Sequence, residues 1–179
     1  MIKFLKNNNN IEDNNFNKLW IYNLNYFDYL NSNLNKSKQV FALEFLKRWL
    51  NEVTSPNYAG LDPYPTSLRI VNWIKFDLRT GLMSNNARSC LFIQTEYLYN
   101  NIEWHLLGNH VLANAKALIF SGSFFKGPQP KKWKSKGIKI YTQQIKDQIL
   151  NDGGHFEKSP MYHSIILEDI LDLINISVK

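Results

Sequence analysis

The stretch 40-VFALEFLKRWLNEV-53 decides the fold class of this chain. Its residues Val40, Leu43, Leu46, Leu50 and Val53 recur every three or four positions. This spacing places side chains on one face of an α-helix, whereas a strand that is buried on one face alternates every second residue. The stretch therefore predicts an amphipathic helix with these five residues on its apolar face.

The same periodicity continues on both sides of this stretch, with almost no β-like alternation between the blocks. The further helices are predicted at about residues 19–34, 66–79, 87–100, 104–121, 138–151 and 160–174. Pro65 and Pro160 suit the first turns of two of them, because the first turn of a helix tolerates proline. The sequence predicts an all-α fold, either a helical bundle or an α/α toroid of paired helices.

Breaks in the periodicity divide the chain. Residues 1–17 are rich in asparagine and predict a loosely ordered lead-in, so the folded domain is expected to span residues 18–179. Residues 55–63 and 152–157 interrupt helices. Residues 122–137 contain three glycines, two prolines and a lysine cluster, and predict a surface loop that is a candidate for function.

Composition excludes several classes of protein. With 179 residues, 44% apolar and 14% aromatic, the chain should form one globular domain. Its formal charge of +6 favours anionic partners, which leaves acidic sugar polymers, nucleic acid and anionic lipid open.

The lone Cys90 excludes an internal disulfide and a multi-cysteine metal site. The first ten residues contain no signal-peptide core, and no apolar run is long enough to span a membrane, so we expect a cytoplasmic protein.

All four histidines fall in two polar clusters, residues 103–114 and 155–163. On a helix His105 and His110 point in different directions, which argues against a shared zinc ion, and neither HExxH nor CxxC occurs. We therefore expect no metal and no cofactor. Structural roles remain open. Asn109, His110 and Asn114 could bridge neighbouring helices by buried hydrogen bonds, Tyr162 could be a core phenol, and the lysines of residues 126–139 could belong to a solvated loop.

Four motifs resemble, in order, the N-terminal helical domain of heparinase II/III polysaccharide lyases. They are WIYNLNYFDYL at 20–30, PYPTSLRIVNW at 63–73, EWHLLGNH at 103–110 and GGHFEKSPMYH at 153–163. The resemblance covers about residues 18–176. It implies part of an α/α toroid, which in the family is followed by a β-sandwich; since no such segment follows here, we expect an incomplete toroid.

The resemblance also implies a reaction, the β-elimination of a uronate-containing polysaccharide. Asn109 matches the family's carboxylate-neutralising asparagine, His110 is a second donor beside it, and Tyr162 matches the catalytic tyrosine. A tyrosine can act as base toward C5 and then as acid toward the leaving oxygen. The residues expected to bind substrate are Arg69, His105, His155 and His163. A family histidine from the β-sandwich has no counterpart here, so the catalyst should be incomplete.

Two alternatives to a lyase remain. One is a non-catalytic helical module that binds an acidic glycan, and the other is a nucleic-acid-binding protein. The second is disfavoured because the basic residues are scattered and no nucleic-acid motif is present. The expected partners are an acidic polysaccharide, and either a separately encoded C-terminal β-sandwich portion or a second copy of the chain; no nucleic acid or membrane is expected. Family members are commonly periplasmic or secreted, in contrast to the cytoplasmic location expected here.

Overall fold

A computed structural model describes residue 11 and residues 16–32, 36–106 and 108–177. Within these ranges the fold is all-α, as predicted, and its only β-type pairing is an isolated bridge between Ile149 and His155. The α-helices of the described chain are α1 (Lys18–Tyr26), α2 (Lys36–Glu52), α3 (Pro63–Thr80), α4 (Asn85–Asn100), α5 (Gly108–Phe124), α6 (Pro128–Gln148) and α7 (Pro160–Ser177). Short 3-10 turns occupy Asp28–Asn31 and Ala59–Leu61. Most of the predicted lead-in lies outside the described residues.

The chain forms two compact units, residues 1–96 and residues 97–179. The core of the first unit is aromatic: Phe27 packs against Phe45 at 5.0 Å between ring centroids and against Trp73 at 5.4 Å. Trp49 meets Trp73 edge to face at 5.4 Å. Such rings bury a large area and fix one another's orientation.

Helix α2 forms as predicted, but its buried face is rotated from the predicted one. Phe45, Leu46 and Trp49 are buried, whereas Val40 is 64% exposed. The two aromatic side chains bury more apolar area than the leucines, so they take the core positions. Leu43 and other members of the predicted stripe line an open groove of about 750 Å³.

In the second unit, the predicted surface loop at residues 122–137 is wrong. Helix α5 continues to Phe124 and α6 begins at Pro128, so only three residues connect them. The two prolines lie in the first turn of α6, where a missing N–H costs nothing. Gly137 lies within α6, where an added Cβ would stand 2.8 Å from the Ala115 carbonyl oxygen. These glycines and prolines start a helix and let it pack closely.

A buried ionic cluster ties α5 to α7. The Lys116 ammonium donates to Asp169 and to Asp172, each at 2.6 Å, and Lys116 is only 6% exposed. Burial raises the pKa of Asp169 even though the Lys116 charge lowers it. Burial also opposes the charge of Lys116, but the two carboxylates outweigh it and raise the pKa of the ammonium. The Lys116 charge therefore favours the ionised form of Asp169, and the two carboxylates favour the charged form of Lys116. The three residues are called the Lys116 clamp below.

Helices α5 and α7 run in the same direction. One cleft of about 340 Å³ is lined by Ser123 near the end of α5, by Lys134 in the first half of α6, and by Ile176 at the end of α7. The C-terminal ends of α5 and α7 therefore lie together, and α6 runs antiparallel to both. It follows that α5 and α7 also begin at a common end of this unit. None of the described helices has the length and apolar composition to cross a bilayer.

Replacing Gly137 by alanine is expected to lower the free energy of unfolding by about 1–3 kcal/mol, because the new methyl group meets the Ala115 carbonyl and Ile119. Alanine's better helix propensity, worth about 1 kcal/mol, acts in the opposite direction. Urea unfolding measures the difference. Ser135→Ala on the exposed side of α6 is the control and should change stability by less than about 0.5 kcal/mol. A Gly137→Ala variant as stable as the parent would contradict the close packing.

Candidate functional site

The first part of the site is the turn that leads into α5. The Leu106 amide donates to the Glu103 carbonyl at 3.1 Å, and Gly108 begins α5 with a positive φ of 54°. Leu107 lies outside the described residues. Asn109 and His110 follow in the first turn of the helix and are both half-buried. The backbone amides of a first helical turn have no partner within the helix, so this end favours negatively charged ligands.

Glu103 organises this turn. Its carboxylate is 3.1 Å from Nδ1 of His110, and its backbone amide donates to Oδ1 of Asn114 at 2.9 Å. Glu103 is 5% exposed and Asn114 is fully buried. A buried carboxylate that accepts from Nδ1 fixes the imidazole ring and turns Nε2 away from Glu103. Glu103 therefore fixes the orientation of the His110 ring, with Nδ1 against the carboxylate and Nε2 on the far side of the ring.

The described hydrogen bonds of Asn114 and His110 do not bridge two helices. Both side chains engage Glu103, which precedes their own helix, so the network holds the turn to the start of α5. The Asn109 carboxamide makes no hydrogen bond with another described residue. It is therefore available to a ligand at the exposed side of the helix end.

The second part of the site precedes and begins α7. His155 is 3% exposed; its Nε2 lies 3.3 Å from Oε1 of Gln148, and its Nδ1 accepts from the Glu157 amide at 3.4 Å. Because Nδ1 accepts an N–H, Nε2 carries the proton and donates to Gln148. The imidazole is 5.8 Å from the ring of Tyr162, measured between centroids. The His155 ring thus lies beside the half-buried Tyr162 ring, and both of its nitrogens make hydrogen bonds.

His105 and His163 are both exposed, one in the turn before α5 and the other directly after Tyr162. Since α5 and α7 begin at a common end of the unit, both parts of the site lie toward that end. Among the described residues, no hydrogen bond or ring contact joins Asn109 or His110 to Tyr162. In the same ranges, no group of three or more His, Cys, Asp or Glu residues is arranged to hold a metal ion.

Arg69 belongs to the first unit and is fully buried. Its Nε donates to Gln94 at 2.6 Å, and its terminal nitrogens donate to the Gly60 carbonyl at 2.8 Å and to Thr66 at 2.9 Å. The guanidinium also stacks on Trp49, 4.6 Å from the ring centroid. A buried arginine with its donors engaged holds its neighbours in place, which favours a structural role over contact with substrate.

Sequence reasoning missed three supporting groups, Glu103, Gln148 and the Lys116 clamp. Lys116 gave a usable signal, because it is the one charged residue in the apolar run of α5 and must therefore find an acidic partner. Glu103 and Gln148 each lie seven residues from the histidine they hold, across a break in the helix. Helical spacing does not predict contacts across such a break.

Known proteins resemble the chain in both sequence and fold. The family described as "Heparinase II/III N-terminus" matches residues 77–179. A heparin-sulfate lyase of Bacteroides stercoris is 36% identical over 125 residues, which is 59% of this chain and 18% of that protein. A heparin-sulfate lyase of Pedobacter heparinus is 37% identical over 65 residues, which is 36% of this chain and 10% of that protein.

A solved structure gives the same indication for the fold. The crystal structure of heparinase III superposes with a TM-score of 0.65 at 22% sequence identity, over 89% of this chain and 26% of that one. The predicted helical fold is thus confirmed as that of a region of heparinase III. The chain spans about a fifth of the length of the first of these relatives and about a quarter of the superposed structure.

The bond between Glu103 and His110 predicts the protonation of a single ring atom. In the parent protein Nδ1 of His110 should carry a proton, because it faces a buried carboxylate. Glu103→Leu removes the acceptor, so the Nδ1–H signal of His110 should be lost. Long-range proton–nitrogen NMR of the four histidines measures this. Exposed His105 is the internal control, and a His110 spectrum that Glu103→Leu leaves unchanged would argue against the bond.

Proposed function

Because the chain belongs to the heparinase II/III family, we propose that it forms part of a polysaccharide lyase that cleaves an acidic, uronate-containing glycan by β-elimination. The names of its relatives support an acidic glycosaminoglycan as the substrate class. The observation that carries the proposal is the shared direction of α5 and α7. It brings the helix ends that bear Asn109, His110 and Tyr162 to one end of the unit.

Asn109 and His110 are proposed to bind the uronate carboxylate. Removal of the C5 proton places negative charge on the carbon beside this carboxylate, and hydrogen-bond donors that neutralise the carboxylate stabilise the resulting carbanion. The Asn109 amide supplies one donor. His110 supplies the second donor through Nε2 when the ring carries a proton on each nitrogen, with Nδ1 donating to the Glu103 carboxylate. The amides of the first turn of α5 add to the attraction.

Tyr162 is proposed as both base and acid. As phenolate it takes the C5 proton; the C5–H electron pair becomes the C4–C5 double bond, and the bond from C4 to the linking oxygen breaks. The departing oxygen then recovers the proton from Tyr162, which restores the phenolate and leaves an unsaturated uronate. His155 is held by hydrogen bonds to Gln148 and to the Glu157 amide. Its ring contacts the Tyr162 ring and is proposed to position it.

The remaining predicted substrate-binding residues differ in what they offer. His105 and His163 are exposed beside the two parts of the site, and are proposed to contact neighbouring sugars. His155 and Arg69 are buried and already bonded within the chain, so they are proposed to act through the residues they hold. A complete catalyst is proposed to need a further histidine from a β-sandwich portion, supplied as a separate chain, or from a second copy of this chain.

The test of the reaction is the ultraviolet absorbance of the unsaturated uronate, measured with the parent protein on heparin and on other uronate polymers. Tyr162→Phe should abolish product formation, because the phenyl ring cannot carry the proton. Tyr97→Phe makes the same chemical change at an exposed tyrosine of α4 that has no proposed role in the reaction, and it should leave the rate within about twofold.

The outcomes separate the proposed functions. Product that Tyr162→Phe abolishes supports a lyase that works without an added portion. Calorimetric binding of heparin without product, both by the parent alone and after addition of the β-sandwich portion of a heparinase II/III lyase, would favour the non-catalytic glycan-binding module over the lyase. Product that survives in Tyr162→Phe would refute the role of this tyrosine, and neither binding nor product would overturn both functions.

A further inference from the structure

We propose that the exposed face of α6 is a second glycan-binding surface, outside the proposed catalytic site, that holds an acidic polysaccharide along a row of lysines. This row consists of Lys132, Lys139 and Lys146 and is called the lysine stripe below. The proposal rests on the proposed function for its substrate class. The geometry of the stripe itself is independent of any catalytic step.

The three lysines line up because they are spaced by seven residues. Seven residues bring a helix back to within about 20° of the same direction and advance it by about 10.5 Å. The stripe is therefore a nearly straight row that spans about 21 Å from Lys132 to Lys146. All three side chains are exposed, and Ser135 and Thr142 form a second exposed row beside them.

The opposite face of α6 packs against its neighbours, so the helix that carries the stripe is held in place. Trp133, Ile140 and Tyr141 are buried, and Gly137 brings the backbone of α6 close to the Ala115 carbonyl. A helix held this way cannot turn its lysines inward. The stripe therefore keeps its alignment without a ligand, which reduces the entropy lost on binding.

The sequence around the stripe is rich in basic residues and poor in acidic ones. Between Glu103 and Asp147 the chain contains eight lysines and no acidic residue. Two of these lysines are engaged elsewhere: Lys116 in its clamp, and Lys136, whose Nζ donates to the Tyr99 carbonyl and lies 4.3 Å from the Tyr99 ring centroid. No acidic group of the described chain pairs with the lysine stripe. The stripe is thus free to attract a polyanion.

A glycan fits this surface better than nucleic acid does. Single strands are held largely by aromatic side chains on which bases stack, and the aromatic residues of α6, Trp133 and Tyr141, are buried. Ser135 and Thr142 instead offer hydroxyl groups to sugar hydroxyls between the charges.

The stripe also runs toward the proposed catalytic site. Helix α6 is antiparallel to α5, so Lys146 lies toward the end of the unit where α5 and α7 begin. Two residues after Lys146, Gln148 holds the His155 ring that lies beside Tyr162. A polymer bound along the stripe is thereby led toward Tyr162.

The test compares two variants with the same change in charge. Lys132→Gln with Lys139→Gln and Lys146→Gln removes the stripe, and Lys18→Gln with Lys38→Gln and Lys47→Gln removes three exposed lysines of the first unit. Each variant lowers the formal charge from +6 to +3. Both are made in the Tyr162→Phe background, so that heparin is bound and not consumed. Circular dichroism establishes that each variant is folded.

The expected result is a Kd for long heparin that rises roughly tenfold or more in the stripe variant and less than about twofold in the control. The slope of log Kd against log salt should fall by about one for each stripe lysine removed. Equal losses in the two variants would overturn the proposal, since they would reflect net charge alone. A larger loss for duplex DNA than for heparin would also overturn it, in favour of a nucleic-acid surface.

These results are separate from the test of catalysis. Stripe-dependent heparin binding by a protein that yields no product would uphold the second surface and leave the lyase reaction unsupported. Product formation together with a stripe variant that binds heparin as tightly as its control would do the reverse.

Discussion

The arrangement of the second unit depends on the Lys116 clamp. Transferring an ammonium group and two carboxylates from water to a helix interface costs several kcal/mol for each ion, and only their mutual contacts offset that cost. The bonds of Lys116 to Asp169 and Asp172 therefore offset the cost of burying these three charges. Because they join the middle of α5 to the second half of α7, they fix how one helix lies along the other.

The site follows from this constraint. Helices α5 and α7, which run in the same direction, begin at one end of the unit, and their first turns carry Asn109, His110 and Tyr162. Hydrogen bonds orient the side chains at the start of both helices. Glu103 holds His110, and Gln148 holds His155 against Tyr162. Side chains fixed by a second layer of hydrogen bonds lose little entropy on meeting a ligand, which is the preorganisation that the proposed β-elimination requires.

Helical periodicity predicted the all-α fold and most of the helices, because the apolar repeat reports directly on which residues face a core. It failed at residues 122–137, where glycine and proline have two meanings. Pro128 and Pro130 start a helix, and Gly137 permits close packing, yet the same residues are typical of loops. It also gave a face for α2 that is rotated from the buried one, since counting apolar positions ignores that Phe45 and Trp49 bury more area than Val40. The motifs located the candidate site residues but not their partners, since Glu103 and Gln148 reach theirs across breaks in the helix. The catalytic roles of those residues stay predictions.

A double-mutant cycle on the Lys116 clamp tests whether this cluster holds α5 and α7 in place. Urea unfolding is measured for the parent, for Lys116→Met, for Asp169→Asn with Asp172→Asn, and for the protein with all three changes. We predict a coupling free energy of at least about 2 kcal/mol between the ammonium and the carboxylates, because removing one side leaves the other buried without its counter-charge. A coupling below about 0.5 kcal/mol would mean that the two sides act independently. It would contradict the claim that this cluster holds α5 and α7, and with them the two parts of the site, in place.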